Sequence, residues 1–252
     1  MISVIIPALN EGKVLPRTLD GIFNQTYKDI EVIYINDGST DNTDEVIKPY
    51  LDRITYIRHE KNLDNQISRN EGIATSHGEY LFVCDGDIVL RKDCLEKMLR
   101  ALEEHIDCSF AYSSFQWQQK LFKSYPFDVE RLKCMNFINT ASLVRKRDHP
   151  GFDSSIGKFQ DWDVWLTMAL AGKKGWYIPE VLFALGENLD REVRAGRSKW
   201  LPKIMYRIPW HRLGIHIGQI ERYEKWKKII QKKHGIVTRN CLSSRRRPGS
   251  SL

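Results

Sequence analysis

Leu81-Phe82-Val83-Cys84-Asp85-Gly86-Asp87 is the stretch on which the fold turns. Its four leading residues are an apolar run too short for a helix, so they read as the end of a strand, Tyr80 to Cys84, buried on both faces. The chain leaves that strand through two carboxylates flanking one glycine. The same grammar occurs twice upstream. Ser3-Val4-Ile5-Ile6 is stopped by Pro7 and followed by Ala8-Leu9-Asn10-Glu11, and Val32-Ile33-Tyr34-Ile35 runs into Asn36-Asp37-Gly38-Ser39-Thr40. Between these strands the period changes. Leu15, Leu19, Ile22 and Phe23 recur at helical spacing before Asn24-Gln25-Thr26 breaks the pattern. Asp41 or Asn42 caps a further helix with Asp44 and Glu45 in its first turn. Ile54 to Arg58 reads as a strand and Ile67 to Thr75 as a helix. Another helix runs from Cys94 to Glu104, with Leu95, Met98, Leu99 and Leu102 on one face. Strands alternating with helices predict an α/β fold with a mostly parallel central sheet and helices on both faces. Ligands of such sheets bind beyond the carboxyl ends of the strands. The three polar turns are therefore expected to meet at one edge.

Composition sets the outer bounds. The chain has 252 residues, 42% hydrophobic and 28% charged, an ordinary globular balance. It is long enough to bury a core without a disulfide or structural metal. No run of about 18 apolar residues predicts a membrane span, and no basic segment followed by an apolar one predicts a secretory signal. Cys84, Cys94, Cys108, Cys134 and Cys241 are odd in number and form no CxxC, which disfavours a disulfide framework and a zinc site. A reducing, cytoplasmic compartment is the expectation. The net charge of +7 is unevenly spread. Residues 1–190 carry 22 Lys+Arg against 29 Asp+Glu, whereas residues 191–252 carry 17 against 3. An acidic body at −7 thus bears a basic quarter at +14. Nucleic acid is not an expected partner, because no binding motif stands in the basic quarter and the body would repel phosphates.

Asp85 and Asp87 are the residues with the clearest chemistry. Gly86 allows a tight turn and close approach by a ligand, and paired hard oxygen donors suit Mg²⁺ or Mn²⁺ bridging to substrate phosphates. A solvated acidic turn is the bland alternative. Asp37, at the end of a buried strand, can accept from a nucleobase or ribose hydroxyl, or can cap a turn. Asn10 and Glu11 carry the same two readings.

Taken in order, these segments resemble the family 2 glycosyltransferases of the GT-A fold. The motifs are Pro7-Ala8-Leu9-Asn10-Glu11, Asn36-Asp37-Gly38-Ser39-Thr40-Asp41, Ser68-Arg69-Asn70-Glu71-Gly72 and Asp85-Gly86-Asp87. Gly151-Phe152-Asp153, Gln160-Asp161-Trp162-Asp163-Val164-Trp165-Leu166 and Tyr177-Ile178-Pro179-Glu180 continue the match, to about residue 183. The resemblance implies a nucleotide-diphosphosugar donor, a divalent metal and inversion by single displacement. On that resemblance Pro7, Asn10 and Glu11 border the nucleoside, Asp37 contacts the base, with uracil expected, and Arg69 holds the base edge or helps order the donor pocket. Asp85 faces the ribose, with a share in holding the metal, and Asp87 holds the metal on the diphosphate. Asp161 matches the general base that takes a proton from the acceptor hydroxyl. Asp163 lies two residues on and cannot share its helix face. Trp162 and Trp165 are expected in the core.

Gln160 stands where the family has an acid, Leu63-Asp64 where a glycine is common, and Ala184-Leu185 where Tyr-Arg is frequent. No QxxRW follows the base, so transfer of a single sugar is expected rather than processive synthesis, onto a glycan or lipid-linked acceptor. A dolichyl- or polyprenyl-phosphate-sugar synthase is the alternative enzyme, and a catalytically silent nucleotide-sugar binder is the reading that Gln160 motivates.

The catalytic domain is expected over residues 1–190, with a basic extension over 191–252. Arg191 and Arg194, with Arg197, are candidates for a loop that clamps the diphosphate. His211 or His216 is a candidate third metal ligand. Gln219 to Lys233 is predicted as an amphipathic helix. Its apolar face carries Ile220, Tyr223, Trp226, Ile229 and Ile230, with Lys225, Lys227, Lys228, Lys232 and Lys233 around it. Such a helix either docks on an anionic membrane surface, making the protein peripheral on the cytoplasmic face, or packs on the catalytic domain. Residues 245–251 read as a disordered tail.

Overall fold

The computed structural model describes residues 1–118, 120–186 and 218–236. Arg191, Arg194, Arg197, His211, His216 and the tail lie outside the described residues.

Strands and helices alternate through the first half: β1 (Ile2–Ala8), α1 (Leu15–Phe23), β2 (Ile30–Asn36), α2 (Thr43–Val46), β3 (Thr55–Arg58), α3 (Asn65–Thr75) and β4 (Tyr80–Val83). All four strands are parallel, with β1 between β2 and β4. Every residue of β1 is buried, as expected of a strand covered on both faces. The elements that follow are β5 (Ile88–Leu90), α4 (Cys94–Glu104), β6 (Cys108–Trp117), β7 (Lys120–Phe122), α5 (Val129–Cys134), β8 (Leu143–Arg145), α6 (Gln160–Leu170), β9 (Lys174–Leu185) and α7 (Gly218–Lys233). The nine described strands form one sheet in the order β3-β2-β1-β4-β8-β6-β9-β5, with β7 on β6.

The sheet is less parallel than the sequence pattern suggests. β8 runs against both β4 and β6, and β5 runs against β9. The early crossovers carry helices and therefore keep strands parallel, whereas the β6–β7 return is too short for one. The stretch 118–136, ambiguous in sequence, divides into β7 and α5.

Alternation along β1 splits the core. Ile2, Val4 and Ile6 face the layer containing Leu15, Leu19, Met98 and Leu102. Ile5 faces the other layer, with Trp162, Trp165 and Ile230. Trp162 and Trp165 are core residues, as expected, and their indole N–H groups donate to Leu132 O (2.7 Å) and Ile138 O (3.1 Å). Gly72 lets α3 press onto the sheet, since a Cβ there would lie 2.3 Å from Ile5 Cγ2. That close approach brings Arg69 over the end of β4.

α7 begins within one residue of its expected start and packs on the catalytic domain. Ile230 is fully buried, Ile229 packs on the same core layer, and the Tyr223 ring meets Phe159 edge-on at 5.3 Å. The buried carboxylate of Asp163 receives Lys233 Nζ and His234 Nε2, each at 2.8 Å. Tyr223, Trp226, Ile229 and Ile230 of the apolar face are thus turned onto the catalytic body, while Lys225, Lys228 and Lys232 stay exposed. No described helix is long and apolar enough to cross a membrane. Cys84, Cys94 and Cys108 are free and buried. Cys134 is paired in a disulfide, a correction to the sequence expectation, which had only the count and spacing of cysteines to go on.

Candidate functional site

The turns after β1, β2 and β4 meet at one edge of the sheet, around a cleft of about 570 Å³. Leu9 and Glu11 line it from the first turn, Asp37 from the second, and Asp85 and Asp87 from the third. Asn62 and Asp64 to Gln66 around the start of α3, with Ser154, Ser155, Gly157, Gln160 and Trp226, complete the wall.

The Asp-Gly-Asp turn is held from three directions. Thr18 Oγ1 donates to Gly86 O at 2.6 Å, Gly186 N donates to Asp87 O at 3.3 Å, and Arg69 donates to Asp85 Oδ1 at 2.7 Å. Arg69 is itself buried, with its guanidinium 5.0 Å from the centre of the Phe152 ring. Its neighbour Asn70 brackets Phe152 with two backbone bonds of 2.8 Å. The Ser68-Arg69-Asn70 motif therefore ties α3 both to the acidic turn and to the loop preceding α6.

Glu11 lies against Gly86, where a Cβ would fall 1.6 Å from Glu11 Oε2. That oxygen is buried and has no hydrogen-bond partner among the described residues. Burial, then the charges of Asp85, Asp87 and Asp41, push the Glu11 carboxyl up to about 8. Burial and Asp85 also raise Asp87. Glu11 thus lines the cleft and also lies against the acidic turn.

Of its two sequence readings, Asn10 takes the turn-capping one. It takes a positive φ of 58°, and its Oδ1 accepts from the backbone of Thr40 (2.8 Å) and Asp41 (3.3 Å). Its side chain stitches the first turn to the second and is not part of the cleft wall. Pro7 lines the cleft from within β1, paired with Ile35.

Asp37 is nearly buried. Its Oδ1 accepts from Leu63 N at 2.9 Å and faces His59 Nδ1 at 2.7 Å. His59 Nε2 faces Glu71 Oε2 at 2.6 Å. Burial works to lower the affinity of His59 for its proton, but the bonds to Asp37 and Glu71 outweigh it and raise the imidazole above its ordinary range. Sequence reasoning missed His59. No local pattern marks it, because its partners come from β2 and α3.

Asp161 sits in the first turn of α6. Its Oδ1 accepts from Trp162 N (2.9 Å) and its Oδ2 from Asn136 Nδ2 (2.7 Å). Burial raises its proton affinity against those two bonds and the Arg69 charge, and Asp85 adds to the rise. Asp161 lies in a narrow recess with His149 and Phe152, next to the main cleft. The residue of this pair on the cleft wall is Gln160, whose Nε2 donates to Gly157 O at 3.1 Å. Burial holds His149 neutral, pushed down to about 4. Asp163 points away, to α7. Trp226, considered in sequence as a core or membrane residue, reaches the cleft through that same helix.

Comparisons with known proteins bear on the family and the fold. The profile of Glycosyl transferase family 2 matches residues 3–155. Glycosyltransferase GlyG of Streptococcus pneumoniae is 33% identical over 107 residues, 41% of this chain and 36% of GlyG. The chain thus spans little more than a third of that relative. Among solved structures, S. aureus TarS 1–349 in complex with UDP-GlcNAc superimposes with a TM-score of 0.62 at 16% identity, over 98% of this chain and 76% of that one. The mannosyltransferase PcManGT of Pyrobaculum calidifontis, in complex with GDP-Man and Mn²⁺, gives 0.59 at 18% identity, over 73% and 56%. Both share the mixed α/β sheet with flanking helices.

Proposed function

The chain belongs to glycosyl transferase family 2, and from that premise we propose that it is a metal-dependent, inverting glycosyltransferase. It moves one sugar from a nucleotide-diphosphosugar, with UDP as the nucleotide, to an acceptor hydroxyl. The observation that carries this reading is the convergence of Asp37, Asp85 and Asp87, from two different strand ends, on one cleft. The bound states of the two structural neighbours, UDP-GlcNAc in TarS and GDP-Man with Mn²⁺ in PcManGT, support the same ligand class. A glycan or lipid-linked acceptor rests on the family resemblance alone.

The donor set fits a divalent cation. Asp85 and Asp87 offer hard oxygens on either side of Gly86, and the buried Glu11 oxygen against that turn has no partner among the described residues. Among the described residues no three His, Cys, Asp or Glu side chains surround a common point. Two carboxylates are what Mg²⁺ commonly takes from a protein when phosphates and water fill the other positions. When bound, the ion supplies the positive charge that stabilises a departing diphosphate. Arg69 fixes Asp85 and so sets the direction in which the pair presents its oxygens. Asp37 accepts from the base. Asp161 takes the acceptor proton, a task helped by its raised proton affinity. Asn136 orients the carboxylate for that transfer.

A thermal-shift screen with Mn²⁺ against UDP-, GDP- and dTDP-sugars tests the donor assignment. UDP-sugars should raise the melting temperature most, and no stabilisation by any nucleotide-sugar would overturn the function. Asp161→Asn should bind donor normally yet lose transfer by about 10²–10⁴-fold; full transfer by that variant would remove Asp161 as the base. A second reading, a catalytically silent nucleotide-sugar binder, is favoured by the enclosure of Asp161 beside Gln160. Normal donor binding without transfer across a broad acceptor panel would establish it.

A further inference from the structure

Glu71, His59 and Asp37 form a carboxylate–imidazole–carboxylate bridge from α3 to the end of β2. The contacts are 2.6 Å and 2.7 Å. The side chains of His59 and Asp37 are 10% and 5% exposed, whereas Glu71 at 41% opens to solvent. His59 N also donates to Asn36 O at 2.9 Å, extending the β2–β3 ladder and fixing the backbone that carries the ring.

The bridge divides the labour between the two oxygens of Asp37. Oδ1 is engaged by His59 Nδ1 and Leu63 N. Oδ2 makes no hydrogen bond among the described residues, and Asp37 lines the cleft. A carboxylate held at one oxygen cannot rotate or translate freely, so its other oxygen becomes an acceptor at a fixed point. An ionised carboxylate only accepts. It therefore rewards a ring that presents an N–H at that point and penalises one that presents a lone pair. Uracil carries an N–H at its N3 position, between two carbonyls. Cytosine carries a lone pair at the same atom, with its amino group displaced to one side. A loose carboxylate could follow the amino group; a locked one could not. Sites built on a fixed polar partner discriminate far better than sites built on shape alone.

We propose that His59 is the positioning residue that gives this cleft its base specificity: by locking Oδ1 of Asp37 it leaves Oδ2 as a fixed acceptor for a uracil-type ring N–H. The proposal rests on the donor-binding reading of the cleft. His59 touches neither base nor sugar and acts only through Asp37.

Calorimetric titration of the full chain with UDP and with CDP, each with Mg²⁺, tests it. Wild-type protein should prefer UDP. His59→Ala should weaken UDP about tenfold, the worth of one bond to a charged acceptor, while CDP changes little, so the ratio collapses. His59→Gln, whose amide can donate to Asp37, should restore most of the preference. If alanine unfolds the protein, His59→Leu removes both donors while filling the space. An equal loss for both nucleotides, or an unchanged ratio, would assign His59 a merely structural role and overturn the proposal. Wild-type protein that binds neither nucleotide would instead overturn the donor reading, and the proposal with it.

Discussion

The indole of Trp226 rests directly on Gly157, where a Cβ would come within 2.6 Å of Trp226 Cη2. A residue from the last described helix thus closes a cleft whose acidic turn lies between β4 and β5. Gly157→Ala would force the ring away. We expect a loss of about 1–3 kcal/mol in stability from overpacking and a several-fold loss in affinity for UDP. Chemical denaturation and calorimetry measure the two effects, and unchanged values for both would show that the ring can yield without cost.

Asp163 anchors α7 through Lys233 and His234. Removing a buried charge partner typically costs about 3–5 kcal/mol, and Lys233, with a third of its side chain exposed, reduces that to about 2 kcal/mol here. Asp163→Asn should therefore raise hydrogen exchange selectively over residues 221–236. Because the apolar face of α7 is covered in the intact protein, sedimentation with anionic vesicles should be weak in wild type and stronger in this variant. Strong, equal sedimentation of both would place the lysine face, not the apolar face, against the membrane.

Glu11 makes stability depend on pH. Its carboxyl is raised from 4.5 to about 8 in the fold, so the native state binds a proton that the unfolded chain has released. That contribution is fully present below pH 4.5 and is lost as pH rises through 8. The melting temperature of metal-free protein should fall between those limits, with a shallower slope in Glu11→Gln. Mg²⁺ or Mn²⁺ should flatten the wild-type slope by supplying the missing positive charge, and indifference to both ions would count against Asp85 and Asp87 as their ligands.

Asp64 takes φ 83° and ψ 141° just before α3, a region that L side chains rarely adopt. Glycine is common at this stretch in the family, and the backbone keeps a glycine-like conformation without the glycine. Asp64→Gly should raise stability by about 1 kcal/mol in urea unfolding. A loss of stability would mean that the aspartate side chain contributes more than its backbone costs.

Legibility in the sequence followed the range of the interactions. The strands β1, β2 and β4 and their polar exits were readable because burial on both faces leaves a continuous apolar run and then a turn. Asp37, Asp85 and Asp87 were readable for the same reason: each follows such a run. Asn10 and Glu11 share a motif with the cleft residues, yet one stitches turns together and the other lies under Gly86, a difference set by partners about 30 and 75 residues away. His59 and Trp226 left no local trace. The first depends on α3 pressing onto the sheet at Gly72, and the second on a helix whose periodicity reveals an apolar face but not what covers it.

The seating of Trp226 gives the cleft a direction in time. A ribosome delivers β1 to β4 first, so Asp85 and Asp87 emerge before Gly186, whose N–H donates to Asp87 O. The aromatic wall and the Asp163 anchor become available only after the segment ending at residue 236 has emerged. A growing chain therefore carries the acidic turn well before it carries Trp226, which completes the cleft wall. Completion of the cleft reports that synthesis has passed this helix.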